Sequence, residues 1–132
     1  MANFISNIIE IESSPEHVFS FLKKLPNLRA IMPDQIENWK SNEEECSFFI
    51  KNLGDLGLKK GKVDSSEQIR FPSSENSKVK FDLIFHQIPS DNEKYKTSFE
   101  VVAEMNSLVE MMAKRPLTNF VNLLNTNLQN QL

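Results

Sequence analysis

The sequence predicts an α+β fold. A curved antiparallel sheet of about six or seven strands carries two short helices after its first strand and a long C-terminal helix across one face. Three observations predict it. Residues 11–33, IESSPEHVFSFLKKLPNLRAIMP, read as the end of a strand, a cap and two short helices. The segments 79–88 and 95–106 alternate apolar and polar residues, the pattern of strands with one buried face. Leu117, Phe120, Val121, Leu124 and Leu128 recur at helical spacing near the C-terminus.

Each element follows in order. Residues 4–12 predict a first strand whose richer face carries Ile5, Ile9 and Ile11, with Phe4 and Ile8 on the other parity. Ser14 suits an N-cap, Pro15 the first helical position, and Glu16 the positive end of the helix dipole. Val18, Phe19, Leu22 and Leu25 then share a helical face, which Pro26 interrupts. Asn27 is the expected cap of a second short helix carrying Leu28, Ile31 and Met32, ended at Pro33.

Strands are expected at 36–40, 46–51, 56–63, 67–72, 79–88 and 95–106. Turn-forming residues separate them at 41–44, 52–55, 72–76 and 89–92. Val79, Phe81, Leu83 and Phe85 face inward on one late strand, as do Phe99, Val101, Ala103 and Met105 on the other. The C-terminal helix is expected over 108–130, capped by Ser107 and kinked at Pro116. Asn119, Asn122, Asn125, Asn127 and Asn130 make its polar side; asparagine is a poor helix former, so fraying at the end is expected.

Bulk properties exclude several functions. A chain of 132 residues predicts one domain spanning 1–132, able to bury a core without metals or disulfides. The net charge of −3 and scattered lysine clusters argue against nucleic-acid binding, which needs a basic footprint. Cys46 stands alone, and His17 and His86 are too few for a metal cluster, so no cofactor or metal is expected. No apolar run approaches the ~18 residues of a membrane span. The N-terminus lacks the pattern of a signal peptide, so a cytoplasmic location is expected. The glycines at 54, 57 and 61 lack the GK[ST] ending of a phosphate loop, and Glu43, Glu44 and Glu45 read as a solvated turn.

With Ile9–Leu22, Asn27-Leu28, Met32-Pro33, Ala103–Asn106 and Pro116–Phe120 as its carriers, the chain resembles the START-like or SRPBCC superfamily, whose members include polyketide cyclases and Bet v 1-type proteins. The resemblance covers essentially the whole chain and implies a helix-grip fold. It further implies a deep apolar cavity between the sheet and the C-terminal helix, of the kind in which relatives bind lipids, sterols, quinones or polyketides. The superfamily shares no catalytic motif, so no catalytic residue is transferred.

The expected ligand-binding residues follow from inward parity and helix face. They are Leu28, Ile31 and Met32 on the second short helix, and Trp39, Phe48 and Ile50 on the early strands. The late strands add Phe81, Leu83, Phe85, Tyr95, Phe99, Val101 and Ala103. The terminal helix adds Met112, Leu117, Phe120, Val121 and Leu124. Tyr95 and Thr97 are the candidate polar contacts near the mouth. Trp39 either lines the cavity or plugs the core, and Cys46 reads as a small buried hydrophobe. His86 falls on the wet face, and the inward parity offers almost no acid or base.

These residues point first to a binding or carrier module for a small hydrophobic ligand. A small cyclase- or hydrolase-like enzyme on the same fold would need a buried acid, base or tyrosine facing the cavity. A filled-in domain acting through protein contacts, as a homodimer for instance, is the third reading. A cavity of at least ~300 Å³ separates the first two from the third.

Overall fold

The computed structural model describes residues 2–65, 67–89 and 95–132. The first half runs β1 (Ala2–Ile5), β2 (Ile9–Ile11), α1 (Pro15–Lys23), a 3-10 helix (Leu25–Ile31), β3 (Glu37–Ser41), β4 (Glu45–Ile50) and β5 (Gly54–Lys59). The second half runs β6 (Lys62–Ser65), β7 (Gln68–Pro72), β8 (Phe81–Pro89), β9 (Tyr95–Ala103) and α2 (Ser107–Gln131). Among the described residues the strands form a six-stranded antiparallel sheet, ordered β1-β9-β8-β7-β6 with β2 also on β9, and a three-stranded sheet ordered β3-β4-β5. With α2 packed on the larger sheet, the fold is an α+β helix grip. Part of the expected turn at 89–92 lies outside the described residues.

The first strand is two strands because of one extra residue. Ile5 pairs with Glu100 and Ile9 with Thr97, so three residues oppose two. Such a bulge reverses the side-chain parity. Phe4 and Ile11 are therefore the buried residues, while Ile5 and Ile8 are exposed, which corrects the face expected for Ile5. Ser6 repairs the ladder: its amide donates to Phe99 O and its hydroxyl accepts the Phe99 N–H.

α1 begins as its sequence dictates, with Ser14 Oγ accepting the His17 N–H and Pro15 opening the helix. The second helix differs from expectation. It starts at Leu25 as a 3-10 turn, and Asn27 does not cap it; its side chain donates instead to Phe21 O. At three residues per turn, Leu25, Leu28 and Ile31 stack on one side, and all three are buried.

The late strands carry the core as their alternation predicts. Phe81, Leu83 and Phe85 on β8 and Phe99, Val101 and Ala103 on β9 are buried on the face that meets α2. The expected strand over 56–63 divides at Lys60–Gly61 into β5 and β6, which belong to different sheets. The sheets touch where Ser74 N donates to Gly57 O and Lys78 N donates to Asp55 O. Gly57 allows this approach, since a Cβ there would collide with the Ser74 side chain.

α2 is capped by Asn106, whose side chain accepts the Val109 N–H, one residue before the expected cap. It continues through Pro116 as one helix of 25 residues. Several of its asparagines are staples rather than a solvated face. Asn125 is fully buried, accepting from Thr97 Oγ1 and donating to Thr97 O and Asn7 O. Asn122 accepts from Asn7 N, and Asn127 donates to Ile31 O. Among the described residues no helix is long and apolar enough to cross a membrane.

Candidate functional site

Among the described residues, the space between the larger sheet and α2 is occupied by buried side chains. Phe48, Phe71, Phe85 and Phe99 are among the largest fully buried side chains. The void among Leu53, Leu56, Val79, Phe81 and Leu117 measures about 10 Å³, room for at most one water. The deep cavity implied by the family resemblance is therefore closed by aromatic and aliphatic packing.

An apolar cleft of about 200 Å³ opens instead on one flank of α2. Pro116, Asn119, Phe120 and Leu123 line it from the helix, at the i, i+3, i+4, i+7 spacing of one helical face. The opposite bank is Pro33, Gln35 and Ile36, which follow the 3-10 helix, with Ile50 and Lys51 at the end of β4. Leu53 N donates to Ile50 O to close a tight turn, and Asn52 takes the positive φ of 74° that the turn requires. Lys51 occupies the second position of that turn, at the cleft's edge.

An aromatic stack runs inward from one lining residue, Phe120. Trp39 on β3 stacks on Phe48 of β4 at 6.0 Å between ring centroids. Phe48 in turn stacks on Phe120 of α2 at 5.7 Å. Asn38, in a left-handed conformation with φ of 58°, sits where β3 slips register against β4 and sets Trp39 on the inner side.

Of the residues expected to bind ligand, Ile50 and Phe120 line the cleft. Leu28, Ile31 and Met32 are core under α2. Phe48, Leu83, Phe85, Phe99, Val101 and Ala103 are buried in the sheet, as are Val121 and Leu124 in the helix. Phe81 and Leu117 border the small void, and Trp39 and Tyr95 are partly buried against the core. Met112 is 60% exposed, outside the core. Seven lining residues escaped sequence reasoning: Pro33, Gln35, Ile36, Lys51, Pro116, Asn119 and Leu123. The helix-face spacing of Pro116, Asn119, Phe120 and Leu123 was the signal that could have found four members of the site together.

The polar candidates face elsewhere. His86 Nε2 lies 2.8 Å from Glu100 Oε1, with Gln68 on the other ring nitrogen and Asn3 on the other carboxylate oxygen. This histidine–carboxylate pair stands on the sheet face opposite α2, away from the cleft. Thr97, one of the expected polar contacts, is fully buried and bonded to Asn125. Cys46 is buried, and that burial pushes its thiol up to about 12, far from a usable nucleophile. Among the described residues no cluster of three or more metal-ligating side chains exists. A larger groove of about 410 Å³ runs beside Lys23, Lys24, Leu25, Pro26, Asn27, Glu43 and Lys60, but its rim is mainly charged and exposed.

No family model matches the sequence, and no curated protein matches it. Solved structures do resemble it along its whole length. A protein from Thermus thermophilus aligns at 14% identity and a TM-score of 0.72, covering 98% of this chain and 96% of that one. A START superfamily protein from Mycobacterium smegmatis aligns at 12% identity and a TM-score of 0.65, covering 98% and 99%. The Aha1 dimer from Colwellia psychrerythraea aligns at 17% identity and a TM-score of 0.62, covering 98% and 97%. At these identities the likeness carries the fold, and that fold is START-like.

Proposed function

We propose that this chain is a binding or carrier module for a small hydrophobic ligand, held in the cleft between α2 and the end of β4. The supporting observation is the cleft itself: about 200 Å³, walled largely by Pro33, Ile36, Ile50, Pro116, Phe120 and Leu123. Ligand sites are concave, mostly apolar and furnished with a few polar groups. The volume falls below the ~300 Å³ set above for a ligand cavity, which weighs toward the filled-in reading for any full-sized ligand. The occupant proposed is therefore a single ring or short acyl chain, or one end of a longer molecule. An enzymatic reading draws no support from the cleft, whose ionisable side chain is one lysine.

The test is titration with 1-octanol, followed by amide chemical shifts and by emission from Trp39, the chain's single tryptophan, which reaches the cleft through Phe48 and Phe120. Saturable shifts at Ile36, Ile50 and Leu123, lost in Leu123→Phe, are the expected result. Shifts that stay non-saturable, or survive in Leu123→Phe, would sink the reading.

One further observation favours a second reading, self-association. Leu108, Val109, Met111 and Met112 are exposed on the first two turns of α2, and a fold neighbour is a dimer. Two copies pairing along Leu108, Met111 and Met112 would cover this surface. Sedimentation equilibrium decides it: a monomer at all concentrations rejects it, and a dimer dissociated by Met111→Lys supports it.

A further inference from the structure

The polar edge of the cleft points to the ligand's chemical class. Lys51 lines the cleft from a turn whose backbone is set by the Leu53 N–H to Ile50 O bond and by Asn52 at positive φ. The turn fixes the backbone of Lys51 at the cleft's edge, and its side chain is exposed to solvent. Among the described residues its ammonium has no ion-pair partner, although Asp34 lies in the facing segment next to Gln35. The remaining polar lining groups, Gln35 and Asn119, are amides that can donate to an anion.

Lys51 is exposed at the cleft's edge, so a neutral tail in the cleft would leave its ammonium solvated and unpaired, while a cationic ligand would add repulsion. A ligand ending in a carboxylate returns a charge-assisted hydrogen bond to Lys51, stronger than a neutral one. Resting on the cleft reading above, we propose that the ligand is a small hydrophobic acid, with its tail against Ile50, Pro116, Phe120 and Leu123 and its carboxylate on Lys51. The net charge of −3 offers no long-range attraction for anions, so the preference is local to this one side chain.

Matched probes of one chain length test it: octanoate, 1-octanol and octylammonium, each below its aggregation limit, titrated by amide shifts and Trp39 emission. Octanoate binding about two- to fivefold tighter than 1-octanol, with octylammonium weakest, is expected of an ion pair to an exposed lysine. Lys51→Met should bring the octanoate-to-octanol ratio near one, and Lys51→Arg should keep it. Lys62→Met, an exposed lysine on β6 outside the cleft, controls for bulk charge and should also keep it. Saturable 1-octanol binding with a wild-type ratio near one overturns this inference and leaves the cleft reading intact. A ratio that persists in Lys51→Met also overturns it, by placing the anion elsewhere. Absence of binding by all three probes removes the cleft reading itself, and the inference with it.

Discussion

At the scale of single residues, buried polar groups decide more than their number suggests. Asn125 satisfies a β9 hydroxyl, a β9 carbonyl and the carbonyl of Asn7 in the bulge, all with one amide. Asn125→Ala strands the buried Thr97 groups away from water, so it should cost about 1–3 kcal/mol in urea unfolding. Asn130→Ala, on the exposed last turn, should change stability by no more than about 0.5 kcal/mol. Cys46 gives a pH signature. Its thiol is pushed from 9.0 to about 12, first by burial and also by Glu45, against a hydrogen bond to the Leu58 backbone. The folded chain thus keeps a proton that the unfolded chain releases. The stability this contributes is fully present below about pH 9 and is lost as pH rises toward about 12. Cys46→Ala should flatten the alkaline fall in stability over that window. Maleimide labelling of the wild type at pH 8 should proceed only as fast as the chain unfolds.

At the scale of elements, α2 is one helix in two surroundings that change at Ala113. From Ala113 onward it buries Leu117, Phe120, Val121, Leu124 and Leu128 against the sheet. Before that, Leu108, Met111 and Met112 meet solvent, and Pro116 denies the Met112 carbonyl its intrahelical donor. Amide exchange at Met111–Ala113 should run on the order of a hundredfold faster than at Phe120–Leu124; equal protection would show that something covers the first turns. The helix itself was legible from its apolar spacing, and so were β8 and β9 from their alternation, because each has one face in the core and one outside. The bulge at Ser6–Ile8 was not legible. Its register is set by β9, a partner about ninety residues away in the chain, and local periodicity carries no trace of it. The asparagine staples were misread for a similar reason: composition marks a polar residue, but only the packed sheet supplies its partners. The 3-10 turn was within reach, since Leu25, Leu28 and Ile31 repeat every three residues.

At the scale of the whole molecule, the order of elements was enough to predict the grip of sheet on helix, but not whether the grip is hollow. Inward parity selects which side chains enter the interior and says nothing about whether their volumes fill it. Ten phenylalanines were compatible with a wide cavity or a closed one, and the rings of Phe48, Phe85 and Phe99 close it. The cleft lies beside them, lined by Pro33 from the segment after the 3-10 helix and by Pro116 from α2. Phe120 separates the cleft from the packed interior, with its ring stacked on Phe48 and its side lining the cleft. Removing it should deepen the cleft. Phe120→Ala should lose about 3–5 kcal/mol of stability, as expected for a buried ring. The same variant should bind 1-octanol more tightly than the wild type, because the tail gains the volume the ring vacates. A comparable stability loss with weaker binding would mean that the interior collapses onto the gap, leaving Phe120 as the cleft's own wall and the core sealed on its inner side.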